Sequence, residues 1–137
     1  MGSRLLRKWL EYPLLDMVQI NRRLDAVEEL FKDFARRGKV RESTEKVHDF
    51  ERLLTRIEIG TANARDLIAL KVSLACLPQI QQALERVQSA MLKECAGKIV
   101  RFDSLVDLME RALIDEPGVS LRDGGIIKAG YDAELDE

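Results

Sequence analysis

Large apolar residues recur along this chain at steps of three and four, the period that lines one face of an α-helix. Leu5, Leu6, Trp9 and Leu10 form such a face on a short first helix, while Arg4, Arg7 and Lys8 project elsewhere. Tyr12-Pro13 breaks it, because the residue before a proline is pushed out of the helical region. Asp16 opens a second helix, with Gln19 three places on in the capping-box arrangement. Ile20, Leu24, Val27, Phe31 and Phe34 follow as one stripe, which Gly38 is expected to stop. Val40, Val47, Phe50, Leu54 and Ile57 make the next stripe, ended by Gly60.

Asn63 reads as the following N-cap, with Asp66 placing negative charge on the first turn, where the helix dipole favours it. Leu67, Leu70, Leu74 and Leu77 continue the period, and Pro78 ends this helix or opens the next. From there Ile80, Leu84, Val87 and Met91 run toward Gly97 as one further stripe. Phe102, Leu105, Met109 and Ala112 form the last, closed by the turn residues Asp115-Glu116-Pro117-Gly118. Each large side chain buried on these stripes contributes about 1.5–3 kcal/mol, which offsets the ordering entropy only if the stripes meet in a shared core. Leu5, Trp9, Leu24, Phe31, Phe50 and Leu70 are the expected core anchors.

The pattern changes near the end, in "GGIIKAGYD". Gly124, Gly125 and Gly130 permit positive φ or close backbone approach, while Ile126 and Ile127 favour extended backbone. The predicted fold is therefore all-α, an irregular multi-helical bundle with a short β-hairpin-like elbow near the C-terminus. Residues 132–137 read as the start of another helix.

Composition narrows the function classes. The 137 residues are 46% apolar and contain 22 Lys and Arg against 24 Asp and Glu, enough for one domain with a core and without bulk attraction for nucleic-acid phosphates. Two isolated cysteines, Cys76 and Cys95, and one histidine, His48, do not make the closely spaced ligand set of a zinc site. No apolar run approaches the roughly 20 residues that span a bilayer, and unpaired cysteines fit a cytoplasmic protein.

The motifs of catalysis are missing: no GxxxxGK[ST], GxGxxG, GxSxG or HExxH occurs, and the pair Gly124-Gly125 precedes extended residues, not a helix N-terminus that holds an anion. No residue is singled out as catalytic, cofactor-binding or metal-ligating. Glu28-Glu29 and Asp115-Glu116 are adjacent carboxylates, but neighbouring helical residues point apart. His48 lacks a charged or buried partner in sequence to make it a switch. The basic pairs Arg22-Arg23 and Arg36-Arg37, with Lys39 and Arg41, alternate with acids and read as a mixed solvated face, direct DNA contact being the alternative. Trp9 reads as the anchor that docks the first helix, and Arg4, Arg7 and Lys8 are the candidates for an interdomain contact.

Three blocks carry a resemblance. "MGSRLLRKWLEYPLLDMVQINRRLDAVEEL", "DFERLLTRIEIGTANARDLIALKVSLACLPQI" and "DEPGVSLRDGGIIKAGYDAELDE" resemble, in order, the first part of the core, or lever, domain of the MutS mismatch-repair family. The specific positions are Met1-Gly2 with Arg4-Leu5-Leu6 and Trp9, Pro13-Leu14, Arg23, Asp49 with Glu51-Arg52, Arg65-Asp66, and Gly124-Gly125-Ile126 with Gly130-Tyr131 and Glu134-Leu135-Asp136. Between about Gln81 and Lys98 the likeness is of helical character alone. The resemblance implies a parent protein that binds mismatched DNA as a dimer, binds and hydrolyses ATP with magnesium, and signals to MutL. It implies that this segment contacts the ATPase, connector and clamp domains, with no membrane association. The chain departs from the full family pattern, because it has no Phe-x-Glu mismatch-reading element, no phosphate loop, no clamp and no second half of the core. Residues 1–137 are thus expected to be a partial core domain cut at the lever, with 132–137 as that helix's first turns, the elbow transmitting tilt between bundle and lever. A free-standing helical adaptor that binds a partner helix through an apolar stripe is the alternative reading.

Overall fold

The computed structural model describes residues 2–118, 124–134 and 136. Eight α-helices occur among the described residues: α1 Ser3–Glu11, α2 Met17–Lys32, α3 Phe34–Glu45, α4 Phe50–Glu58, α5 Ala64–Ala75, α6 Leu77–Ala83, α7 Ala90–Lys98 and α8 Asp103–Ala112. The all-α expectation holds. The chain divides into two compact units, Met1–Glu45 with Leu77–Val100, and Lys46–Cys76 with Arg101–Glu137.

In the first unit α2 packs on α3 and α7, and α3 packs on α6. The core is Ala26, Leu84, Val87 and Leu92, with Leu30, Val40, Ile80 and Met91 packed partly against it. Asp16 caps α2 by accepting the Val18 N–H at 2.8 Å. The break between α2 and α3 falls at Asp33, not at Gly38. Asp33 leaves helical geometry at φ −96°, ψ 79°, and its Oδ1 accepts the Arg36 N–H at 2.9 Å, so one residue ends a helix and caps the next. Gly38 lies inside α3.

The stripe expected from Ile80 to Met91 is likewise two helices. Leu84 and Glu85 close α6 with short-range bonds to Gln81 and Gln82 carbonyls, and Arg86 then takes φ 59°. A side-chain-bearing residue held there costs about 1–2 kcal/mol. Leu84, Val87 and Leu92, on either side of the turn, lie together in one buried cluster.

The second unit is built on α5, against which α4 and α8 pack. Gly60, at φ 75°, ends α4 in a Schellman motif: its N–H bonds the Ile57 carbonyl and that of Thr61 bonds the Arg56 carbonyl. Asn63 and Asp66 form the full reciprocal capping box of α5, at 3.0 and 2.9 Å. Val47, Leu53, Ala64, Leu70, Leu74 and Leu113 are buried. Ser73, fully buried, ties the α3–α4 connection to α5: its Oγ accepts the His48 backbone N–H at 2.9 Å and donates to the Ala69 carbonyl at 2.6 Å.

The hairpin-like elbow is not formed. A single antiparallel bridge joins Ile127 to Leu113, with the Ile114 N–H on the Ile126 carbonyl at 3.0 Å and the Lys128 N–H on the Ala112 carbonyl at 2.8 Å. The extended residues take their partners from the end of α8, and no second limb of a ladder lies beside them among the described residues. Gly124, Gly125 and Gly130 have φ of 67°, 62° and 81°. Of residues 132–137, Leu135 and Glu137 lie outside the described set; Asp132 Oδ1 accepts the Glu134 N–H at 3.0 Å, in a turn.

The expected core was partly misplaced. Leu70 is buried, Trp9 and Phe50 are half-buried, and Leu5, Leu24 and Phe31 are exposed. Because Gly38 sits in open helical backbone, where an added Cβ meets no atom within 4 Å, Gly38→Ala is expected to raise stability by about 1 kcal/mol. Gly130→Ala, at positive φ, is expected to lower it by about 1–2 kcal/mol. Urea denaturation of the two variants checks the opposite signs.

Candidate interaction surface

Helix α2 presents two different faces. Toward α7 it turns Ala26 and Leu30 together with two charged residues, Arg22 and Glu29. Arg22 Nη2 meets Glu94 Oε2 on α7 at 2.8 Å, and Lys98 holds the other oxygen of Glu94 at 2.6 Å. The N-terminus of α7 lacks a local cap, since Ser89 makes no side-chain capping bond. Glu29 supplies it from α2, its two oxygens accepting the backbone N–H groups of Gln88 and Ser89, each at 2.7 Å. Arg36 Nη1 stands 3.2 Å from Glu29 Oε1 and its Nε 3.4 Å from Asp33.

A carboxylate at a helix N-terminus satisfies orphan donors and faces the positive end of the helix dipole. Burial pulls the Glu29 carboxyl upward, and the Ser89 and Gln88 N–H donors with the Arg36 guanidinium outweigh it, leaving its pKa below the ordinary 4.5. Glu28, the neighbour that might have shared a proton with it, points away and pairs with Lys32.

The opposite face of α2 carries Met17, Leu24, Val27 and Phe31, all exposed, and Phe34 continues it at the start of α3. The Arg37 guanidinium lies 5.9 Å from the Phe31 ring centroid and 5.2 Å from that of Phe34. Arg23 stacks on Trp9 at 3.7 Å, the contact that docks α1 to α2, and it is a cation–π contact on a half-buried ring rather than a core anchor.

Arg4, Arg7 and Lys8 all lie on α1, which buries no residue. Arg7 pairs with Glu11 at 3.3 Å. The basic pairs behind them are mostly committed within the first unit: Arg22 to Glu94, Arg23 to Trp9 and Arg36 to Glu29. A cavity of about 580 Å³ on this unit, bordered by Arg36, Lys39, Glu42, Gln82, Glu85 and Arg86, mixes both charges and has no anion-selective character.

In the second unit the residues around the elbow are held by a cation from α5. Lys71, buried, places its Nζ 2.6 Å from Glu110 and 3.4 Å from Asp115. The Glu110 hydrogen bond raises its pKa above the ordinary 10.5 against the pull of burial, so it stays charged across the neutral range. Lys128 Nζ donates to the Glu110 carbonyl at 2.7 Å, and Arg65 Nε to the Pro117 carbonyl at 3.2 Å. Gly124-Gly125 leads into the bridged residues and not onto a helix N-terminus. Among the described residues no cluster of His, Cys, Asp and Glu is placed to hold a metal ion, and no helix is long and apolar enough to cross a membrane.

The helix order, the capped α4–α5 corner and the glycine elbow at the end of α8 are accompanied by a match over the whole chain: the family model described as MutS domain III covers residues 1–137. The chain belongs to the MutS family, as a domain III. It is 47% identical over 137 residues to the DNA mismatch repair protein MutS of Alkaliphilus oremlandii. It is 49% identical over 137 residues to that of Symbiobacterium thermophilum and 48% over 141 to that of Methanosarcina barkeri. Each of these matches covers 100% of this chain and 16% of the relative, so this MutS domain III spans about one-sixth of the length of those proteins.

Sequence reasoning missed the roles of Glu29, Arg22 with Glu94, and Lys71, because their partners lie 39 to 72 residues away in the chain, beyond the reach of a local pattern. The one available signal for Glu29 is that Ser89 starts α7 without a Glu or Gln at the third position after it, leaving its N–H groups to be met from elsewhere.

Glu29→Gln is expected to lower the stability of this MutS domain III by about 1 kcal/mol, since it replaces a charged acceptor by a neutral one at two partly solvated backbone donors. The lowered carboxyl favours the folded state at pH above 4.5, its ordinary value. That contribution falls away as pH drops beneath 4.5 through the lowered value. Urea midpoints measured from pH 7 to pH 3 should therefore converge for wild type and variant at the acid end.

Proposed function

We propose that this MutS domain III is a non-catalytic scaffold and transmission segment of a DNA mismatch-repair protein, linking an ATPase module to a DNA clamp. The parent protein binds mismatched DNA as a dimer in the cytoplasm, binds ATP and magnesium at a site outside these residues, and signals to MutL. The reading is supported by the relatives' description as DNA mismatch repair proteins and by one feature of the second unit. The elbow is bonded to the end of α8 through Ile114, Ile126 and Lys128, and α8 is bonded to α5 through Lys71. Movement of α8 therefore carries the elbow with it, and the chain beyond Tyr131 is aimed by the positive-φ glycines Gly124, Gly125 and Gly130. A rigid element of this kind passes on a rotation without taking part in a reaction. On the same reading Arg4, Arg7 and Lys8, on the exposed α1, meet a neighbouring domain such as the connector.

Gly125 has φ 62° and open space around it, so a valine there adds about 1–2 kcal/mol or more of backbone strain without a clash. In the full-length protein Gly125→Val is expected to slow ATP-dependent release from mismatched DNA by about fivefold or more, by the rate equivalent of that strain, while the Gly38→Ala control releases normally. Unchanged release with normal stability counts against the elbow as the transmitter. Nucleotide hydrolysis by the purified 137-residue chain counts against a non-catalytic role.

A further inference from the structure

Between α3 and the end of α6 the first unit leaves a cavity of about 580 Å³ whose polar groups do not satisfy one another. Lys39, Glu42 and Ser43 border it from α3, and Gln82, Glu85 and Arg86 from α6 and the turn that follows. Each wall thus holds one cation, one carboxylate and one neutral hydrogen-bonding group. Asp33 and Arg36 also border the cavity, but they are paired with each other, and Arg36 with Glu29 as well. Lys39, Glu42, Glu85 and Arg86 enter no ion pair among the described residues, although opposite charges stand across the same space.

Ser43 is the second irregularity of this site. It is only 8% exposed, yet its hydroxyl has no hydrogen-bond partner among the described residues. Thr44, Thr55 and Ser73, also within helices, turn their hydroxyls back to the carbonyl four residues earlier, at 2.8, 2.7 and 2.6 Å. Ser43 forgoes the equivalent bond to the Lys39 carbonyl, so the cavity it borders is the side from which a partner reaches it. Arg86 is the third, since among the described residues it is the one non-glycine with positive φ, at 59°. Strained residues of this kind persist where their placement is used, and here the strain puts a cation on the cavity wall.

The charges select the ligand. An anion entering the cavity meets two carboxylates and a cation meets two positive side chains, so a ligand of one sign brings like charges together. A molecule carrying both an ammonium and a carboxylate answers all four groups with charge-assisted hydrogen bonds. The volume lies within the range of about 300–1,000 Å³ that small-molecule sites occupy. We propose that this cavity binds a small zwitterion of the amino-acid or dipeptide class, with Lys39 and Arg86 holding its carboxylate, Glu42 and Glu85 its ammonium, and the Ser43 hydroxyl a polar atom between them. This goes beyond the scaffold reading and does not rest on it.

Glycylglycine is the probe, observed on the full-length protein by saturation-transfer difference NMR at about millimolar concentration, without DNA or nucleotide. Glycylglycine is expected to give a transfer signal, and N-acetylglycine, which lacks the ammonium, and glycinamide, which lacks the carboxylate, several-fold weaker ones. Arg86→Gly is expected to weaken binding about tenfold by loss of a charge-assisted contact, without loss of stability, because glycine takes this φ freely. Ser43→Ala weakens it in the same direction while removing no bond made within the protein. No glycylglycine signal in the wild type, equal signals from the one-charge analogues, or undiminished binding in both variants overturns the proposal. The analogue comparison uses the wild-type protein alone, so it decides the matter whatever a variant does to folding.

Discussion

The first unit depends on one carboxylate. Two backbone N–H groups at the start of α7 have no local acceptor, and Glu29 reaches across from α2 to take both at 2.7 Å. Hydrogen bonds to a charged acceptor are worth about 1.5–3 kcal/mol each, at the low end here because the Gln88 donor is exposed and the Ser89 donor only partly buried. With Arg22 paired to Glu94 one turn and more away, Glu29 fixes the rotation of α2 about its own axis. Once that rotation is set, the apolar stripe from Leu24 to Phe34 faces away from the unit's core. Arg22 and Glu29 are committed inward beside Ala26 and Leu30, while Leu24, Val27 and Phe31 face outward.

The second unit solves the same problem with the sign reversed. Lys71 is a buried cation on α5 whose carboxylate partners, Glu110 and Asp115, are themselves largely solvated, so only one ion of the network gives up its hydration. That limits the desolvation penalty of a buried pair while locking α8 and its following residues to α5. Arg65 on the Pro117 carbonyl and Lys128 on the Glu110 carbonyl extend the lock along the chain. The end of α8 is thus held by hydrogen bonds and ion pairs as well as by burial of Leu113.

Exposed rows of Leu, Val and Phe at helical spacing are unusual on a protein that stands alone, and this MutS domain III carries two, with Met17, Leu24, Val27 and Phe31 on α2 and Leu5, Leu6 and Leu10 on α1. At the three elbow glycines φ is positive and an added Cβ meets no atom within 4 Å, so their lack of a side chain answers to backbone conformation and not to close packing.

The sequence by itself determined the all-α class and the local punctuation: Asp16, Gly60, Asn63 with Asp66, and the positive-φ glycines all act where their side-chain chemistry or lack of Cβ places them, within four residues. Its likeness to MutS was equally legible, because specific residues in order need no folding to compare. Tertiary structure alone decided which face of α2 is buried, that Gly38 is carried through a helix, that Arg86 breaks the next one, and that Ile127 pairs with Leu113 instead of closing a hairpin. Those choices rest on partners far away in the sequence, Glu29 with Ser89 and Lys71 with Glu110. A period of 3.6 residues reports only that a stripe exists, while the hydrogen bonds that orient it are made by residues the period does not count.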